Sequence, residues 1–327
     1  MAQSNSLVEL DCSYDCRFIP HLPDKAEEIK ANITSYYIAN LFSDSIERQK
    51  RYLAQDLEEW FIMVFSGALD SRLQITCIWY EYFFFFDDVI EKLDGEKAKA
   101  CITRVLGILN DIQEPDPTNR LEVVLKDITL MLMSIGDEAD RILARNVLSA
   151  IQEYCAAMGN YKKRKDSMDS FETYQQYRLL EAAAWPAFAL VAWSYGIYLP
   201  PHMSTDPDVR ELGRLAGLHA CFVNDLYSYR VEALHTQYKD SEDATFLYNS
   251  IPVIMKEQRT DAQGAMDYLK VYISHMEEKF LQTSNKLRER YIGEELGMTN
   301  RLVEGYERLL AANWIWSVYC GRYNSFV

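Results

Sequence analysis

From Asp24 onward, apolar residues recur at three- and four-residue intervals, the period of amphipathic helices. Ile29, Ile33, Tyr36 and Tyr37 open the series, with Pro23 and Asp24 placed as start signals. The same period predicts helices over about 45–66, 70–92, 96–112, 119–134 and 138–164, with Gly67 interrupting after the first of these and Glu114-Pro115-Asp116-Pro117-Thr118-Asn119 reading as a loop. A further helix starts at Ser170 and carries Glu172 and Glu181. Pro186 interrupts its apolar continuation to Tyr198, and Pro200-Pro201 closes it. Stretches 206–234, 242–257, 261–291 and 298–320 complete the set, with Gly293 and Gly297 separating the last two. There is no alternating strand pattern, no repeat of fixed period and no linker of low complexity. The fold class expected is all-α, in one domain. Residues 1–24 hold Pro20, Pro23 and little periodicity, so they read as an N-terminal strap, leaving 25–327 as the helical domain.

Composition adds exclusions. Nearly half of the 327 residues are apolar, enough for a sizeable core. A formal charge of −15 argues against nucleic acid and against an anionic membrane surface, both of which need a basic face. The seven cysteines are scattered and odd in number, which fits reduced thiols, and Cys12 and Cys16 are too isolated to suggest zinc. No basic segment followed by an apolar run opens the chain, and no stretch approaches the ~18 apolar residues of a membrane span. A cytoplasmic protein without a membrane anchor is expected. The run Lys162-Lys163-Arg164-Lys165 is most simply a solvated helix end.

The 70–92 helix is apolar nearly all round and ends in Phe83-Phe84-Phe85-Phe86-Asp87-Asp88-Val89-Ile90-Glu91. On a helix, Asp87 and Glu91 lie four apart and Asp88 and Glu91 three apart, so three carboxylates gather at one end of an aromatic wall. Hard divalent cations would neutralise them, and Mg²⁺ in particular favours sites shared with a substrate phosphate. A solvated acidic helix end is the plainer alternative, and the aromatic run weighs against it. A second signal is Asn224-Asp225-Leu226-Tyr227-Ser228-Tyr229-Arg230-Val231-Glu232. Spacings of four and four stack the Asn224 amide, the Ser228 hydroxyl and the Glu232 carboxylate on one stripe, a hard-oxygen ligand set. Alone it reads equally as a polar face making local hydrogen bonds. The two motifs together favour metal.

In this order the two motifs resemble those of the class I terpene synthases, specifically the microbial sesquiterpene cyclases. Further pieces are similar to that family. Tyr174-x-x-x-Arg178-x-x-Glu181-Ala182 resembles its diphosphate-sensor arginine, linker acid and effector residue. Arg322-Tyr323 resembles its Arg-Tyr pair, which donates hydrogen bonds to diphosphate, and Asn249–Ala265 resembles its stretch after the second motif. The resemblance covers about residue 80 to the end. It implies a single-domain helical bundle around a central apolar cavity, in which three Mg²⁺ ions and these arginines ionise farnesyl diphosphate and release a cyclic sesquiterpene. Asp87, Glu91, Asn224, Ser228 and Glu232 would be the metal ligands, with Asp88 instead holding an arginine. Arg178, Arg322 and Tyr323 would bind diphosphate. The chain departs from many relatives at Val231, where they carry a diphosphate-binding lysine. Arg230 beside it points roughly 100° away around the helix, so the lysine's role is not transferred to it.

A carbocation left by ionisation must be kept from water and faced by aromatic rings. Tyr80, Phe83 and Phe84 precede Asp87 closely enough to share its cavity. Trp316 stands six residues before Arg322, a spacing at which the resembling cyclases place a pocket tryptophan. For each ring, ordinary core packing is the alternative. Arg178 could likewise pair only with Glu181, and Arg322-Tyr323 could be a frayed tail. His219 reads as a helix residue without a catalytic role. The rival functions are a synthase for C10 or C20 diphosphates, a prenyl transferase and a non-catalytic helical binding protein. A transferase would be expected to show an aspartate-rich second motif, and a scaffold would not require two ligand stripes with Arg178 and Arg322. Oligomeric state is not legible here, and a homodimer is among the forms allowed.

Overall fold

The computed structural model describes residue 7 and residues 9–324, apart from 91, 94, 159–167 and 238–246. Glu91 and the basic run 162–165 therefore lie outside the described residues. Among those described there are only helices and connections: α1 (Ala26–Asn40), α2 (Ile46–Leu53), α3 (Leu57–Val64), α4 (Asp70–Ile90), α5 (Gly95–Leu109), α6 (Arg120–Ser134), α7 (Glu138–Met158), α8 (Phe171–Glu181), α9 (Ala184–Ser194), α10 (Pro201–Ser204), α11 (Pro207–Gln237), α12 (Ser250–Gln258), α13 (Ala262–Arg290), α14 (Gly293–Tyr319) and α15 (Gly321–Asn324). The all-α expectation agrees with this. None of these helices is long and apolar enough to cross a membrane.

Local chemistry sets several starts. Ser45, Ser170, Asn249 and Asp261 each accept a hydrogen bond from a backbone N–H of the first turn, satisfying a donor that has no partner inside the helix. Four boundaries differ from the sequence expectation. The 45–66 stretch divides at Asp56, which takes a left-handed φ of 49°, a conformation Asp tolerates. The break after Ser170 falls at Ala183, with φ 52°, and not at Pro186. Pro186 sits in the first turn of α9, where its missing N–H has no intrahelical partner to lose. Gly293 supplies a positive φ of 58° and α14 begins there, so Gly297 lies inside the helix. In the expected 242–257 helix, residues 242–246 lie outside the described residues and Leu247–Asn249 are not helical.

Helix α11 packs against α13 and α14, and more lightly against α8 and α12, while α3 lies between α14 and α4. Buried polar contacts fix α4 in place. Trp79 Nε1 donates to the Ile128 carbonyl of α6 at 2.8 Å, and the Tyr37 hydroxyl of α1 donates to the Ile78 carbonyl at 2.5 Å. The Arg72 guanidinium joins the Trp193 carbonyl and Asp140. Residues 10–24 cross α13 and α14 without forming a helix. Asp11 N donates to Gln263, Arg17 pairs with Glu278, and Trp314 Nε1 donates to the Tyr14 carbonyl at 2.7 Å.

Two glycines of α14 separate packing from propensity. A Cβ on Gly305 would meet Val191 Cγ1 at 2.4 Å, a stiff branched side chain on α9, whereas one on Gly297 would meet nothing nearer than Arg301 Nη1 at 3.8 Å. Gly305→Val is expected to destabilise by about 1–3 kcal/mol through overpacking. Gly297→Ala is expected to stabilise by roughly 0.8–1 kcal/mol through helix propensity. Guanidinium unfolding midpoints that move in opposite directions for the two variants are the check.

Candidate active site

The second signal lies on α11, which is long enough to carry Asn224, Ser228 and Glu232 on one stripe, two turns in length. All three line a cavity of about 790 Å³. Across it, the end of α4 contributes Tyr80, Phe83, Phe84, Asp87 and Asp88. The α8–α9 break contributes Arg178, Glu181 and Ala182, and α15 contributes Arg322 and Tyr323. Residues from parts of the chain more than 200 positions apart thus share one space.

A buried polar network holds the stripe. Asp225, one residue after Asn224, is 1 % exposed. Its carboxylate accepts from Arg178 Nε at 3.2 Å, from the Tyr174 hydroxyl at 2.7 Å and from the Ser250 backbone N–H at 3.1 Å. Arg178 Nη2 lies 3.1 Å from the same carboxylate and donates to Asn224 Oδ1 at 2.8 Å. The Asn224 amide in turn donates to the Tyr323 hydroxyl. Asn249, the N-cap of α12, is fully buried and points its amide at α11. Its Nδ2 reaches the Asp225 carbonyl at 3.0 Å, Glu232 Oε2 at 3.0 Å and Ser228 Oγ at 3.5 Å, while its Oδ1 accepts the capping bond from Ile251 N. Burial pushes the Glu232 carboxyl above its ordinary range and the charge of Asp225 adds to this, against the opposing hydrogen bonds from Asn249 and Ser228. Arg322 Nη2 lies 3.7 Å from Asp88 Oδ1.

The donor set suits a hard divalent cation. Asn224, Ser228, Glu232 and Asp87 offer only oxygen, and a buried carboxylate that burial drives toward neutrality is one a cation would return to its charged form. Glu91 lies outside the described residues. On the aromatic side, Tyr80, Phe83 and Phe84 line the cavity, and so does Trp60 from α3. Trp316 does not. It is 1 % exposed and stacked on Trp60, with ring centroids 4.2 Å apart and planes at 11°. The sequence places Trp316 at the cavity; the structure lines the cavity with Trp60, against which Trp316 stacks. Sequence reasoning missed Trp60 because α3 is buried on nearly every side, so no periodicity distinguishes its cavity face. It also missed the hub role of Asp225 and the second function of Asn249, whose cap signature was the only available sign.

Val231 lines the cavity with no charge to offer, and Arg230 turns away to hydrogen-bond Asn324 Oδ1 at 3.3 Å. Lys92, two residues past α4, also lines the cavity.

Comparison with known proteins places this geometry. Residues 79–279 match the family model described as terpene synthase family 2, C-terminal metal binding. Among curated proteins, aristolochene synthase of Aspergillus terreus is 24 % identical over 310 residues, covering 95 % of this chain and 93 % of its own. The 10-epi-cubebol synthase of Sorangium cellulosum is 23 % identical over 264 residues, covering 80 % and 81 %. Among solved structures, aristolochene synthase from Penicillium roqueforti superposes with a TM-score of 0.78 at 20 % identity, over 94 % of this chain and 99 % of that one, a likeness of fold. The family match spans more than half of the chain, takes in both ligand stripes and ends within α13, so the protein belongs to terpene synthase family 2 and is a metal-dependent lyase of that family.

Proposed function

We propose that this terpene synthase ionises farnesyl diphosphate and cyclises the resulting cation to a sesquiterpene, with three Mg²⁺ ions as cofactor. The observation that carries this reading is the joining, in one cavity, of an oxygen-donor stripe, two arginines and an aromatic wall. The relatives aristolochene synthase and 10-epi-cubebol synthase support the C15 substrate class. None of the seven cysteines is in a disulfide, which supports a reducing compartment such as the cytoplasm.

Asp87, Asn224, Ser228 and Glu232 would hold the metal ions, with Glu91 a further candidate from the sequence. Bound there, the ions would neutralise the diphosphate and make it a better leaving group. Arg178, Arg322 and the Tyr323 hydroxyl would donate hydrogen bonds to its oxygens, stabilising charge that grows as the carbon–oxygen bond breaks. Arg178 already donates to Asn224 Oδ1, the oxygen that would ligate. Diphosphate offers that guanidinium another acceptor and so frees the amide. Lys92, just past the end of α4, supplies a cation that Val231 does not supply from α11. The allylic chain lies against Trp60, Tyr80, Phe83 and Phe84, whose faces stabilise the cation by roughly 0.5–2 kcal/mol per contact and exclude water. Glu181 and Ala182 stand at the α8–α9 break, where a left-handed turn at Ala183 presents backbone to the same cavity.

Incubation of the purified protein with C10, C15 and C20 diphosphates, with Mg²⁺ or with chelator, and mass spectrometry of the volatiles is the direct test. Metal-dependent cyclic products from the C15 substrate are expected. Predominant turnover of C10 or C20 would change the substrate, and no consumption of any diphosphate would refute the reading.

Three variants test the parts. Trp60→Leu should keep substrate consumption while shifting products toward less cyclised ones, and Trp316→Leu should shift them less, because that ring lies behind Trp60. An equal or larger shift for Trp316→Leu would contradict the assignment of the wall. Asn249→Ala removes the amide that orients Ser228 and Glu232. It should raise the Mg²⁺ concentration for half-maximal turnover by on the order of 10–100-fold and destabilise the fold by about 1–3 kcal/mol. Metal-dependence curves that superimpose on the wild type would remove Asn249 from this role.

A further inference from the structure

Away from the catalytic cavity, side chains from three separate segments converge. Cys16 comes from the N-terminal segment, His219 from α11 and Glu277 from α13, and their ligand atoms all lie within 4.8 Å of one another. None of the three lines the catalytic cavity, and no step of the reaction uses them. His219 and Glu277 are each 1 % exposed, with Nε2 2.9 Å from Oε1, and Cys16 is partly buried. The hydrogen bond to Glu277 satisfies only half of the imidazole, because His219 Nδ1 is buried with no hydrogen-bond partner. Apolar side chains would fasten one segment to two helices without burying a carboxylate, an imidazole and a thiol together. Glu277 also accepts from the Arg17 backbone N–H, so what marks the cluster is the closeness of three donor atoms of different softness.

We propose that Cys16, His219 and Glu277 form a second metal site, for a borderline-soft divalent ion such as Zn²⁺, that clamps the N-terminal segment onto α11 and α13. A thiolate, an imidazole nitrogen and a carboxylate oxygen, with the fourth position open to water, is a donor set that Zn²⁺ accepts. The catalytic stripe offers oxygen alone, so donor softness sorts the two kinds of ion between the two sites. On binding, the metal–sulfur bond replaces the S–H bond of Cys16 and that proton leaves to solvent. His219 ligates through Nε2, the nitrogen that faces Glu277, while its proton moves to Nδ1, which has no protein acceptor and would take a water admitted with the ion, so the imidazole stays neutral. The thiolate and carboxylate then balance the two positive charges of the ion. Arg17 Nε lies 3.7 Å from Glu277, but its guanidinium is 47 % exposed and also pairs with Glu278 at 2.8 Å, so it keeps a carboxylate partner when the metal takes Glu277. The clamp bears on the catalytic end of the chain as well, because the same segment accepts the Trp314 indole N–H of α14, the helix that leads into Arg322 and Tyr323.

Cobalt reads the proposed sulfur ligand directly. The full-length protein, stripped with chelator and held in saturating Mg²⁺, is titrated with Co²⁺ and then with Zn²⁺. A near-ultraviolet thiolate-to-cobalt charge-transfer absorption that saturates at a single equivalent is expected, with displacement by Zn²⁺. It should vanish in Cys16→Ser, whose position is partly exposed and tolerant, and persist in Cys12→Ser. Glu277→Gln should weaken Zn²⁺ binding by at least about 10-fold. If that buried variant fails to fold, Cys16→Ser decides alone. No absorption in the wild type, or its survival in Cys16→Ser, overturns the site. The readout is independent of diphosphate turnover, so its failure is distinguishable from failure of the proposed function.

Discussion

The site depends on a single buried charge. Asp225 is 1 % exposed, and a carboxylate taken that far from water must find a positive partner and further donors or give up its charge. Arg178 supplies the charge, while the Tyr174 hydroxyl and the Ser250 N–H supply the remaining donors, so one side chain ties α8, α11 and the start of α12 together. Removing one partner of such a pair costs roughly 3–5 kcal/mol, because the other is left buried and uncompensated. That rigidity is what lets Asn224, Ser228 and Glu232 stand in line before any metal arrives.

Around this hub the chain divides its work by side-chain chemistry. Oxygen donors come from α11 and from the end of α4. Cations come from α8, from α15 and from Lys92, and aromatic faces come from α3 and α4. In the proposed reaction, breaking the allylic bond and guiding the cation would therefore draw on different residues. The wall itself is built in two courses, since Trp60 faces the cavity and Trp316 backs it in a near-parallel stack, with Tyr323 set edge-on against Trp316 at 5.3 Å. A ring in the second course shapes the pocket by holding the first in place. Tyr323 and Trp60, both lining the cavity, are thereby neighbours of one side chain, Trp316.

The N-terminal segment is the part of the chain whose purpose periodicity does not disclose. It carries no helix over residues 10–24, yet Cys12, Tyr14 and Phe18 are buried, and Phe18 meets Phe280 edge-on at 5.4 Å. Its polar contacts run to α13 and α14, so it fastens the two helices that pack on α11. The sequence made Cys16 look isolated and His219 look idle, because they stand 203 positions apart and Glu277 lies 58 beyond His219. Folding sets them beside Glu277.

What the sequence determined alone is what local periodicity and spacing encode. Apolar recurrence specified an all-α chain and most of its helices, since a helical face is a property of residues three and four apart. The same rule put Asn224, Ser228 and Glu232 on one stripe, and put Asp87 next to an aromatic run. The helix breaks were less legible: Asp56 and Ala183 take a positive φ at two of them, and neither residue type announces it. Tertiary structure alone decided that Trp60 lines the cavity with Trp316 stacked against it, because both are buried and no local pattern separates them. It alone showed that Asn249 caps one helix while hydrogen-bonding Ser228 and Glu232 of another, and that Asp225 and not its neighbours is the hub. Such facts rest on contacts between residues far apart in the chain, and no window of sequence contains them.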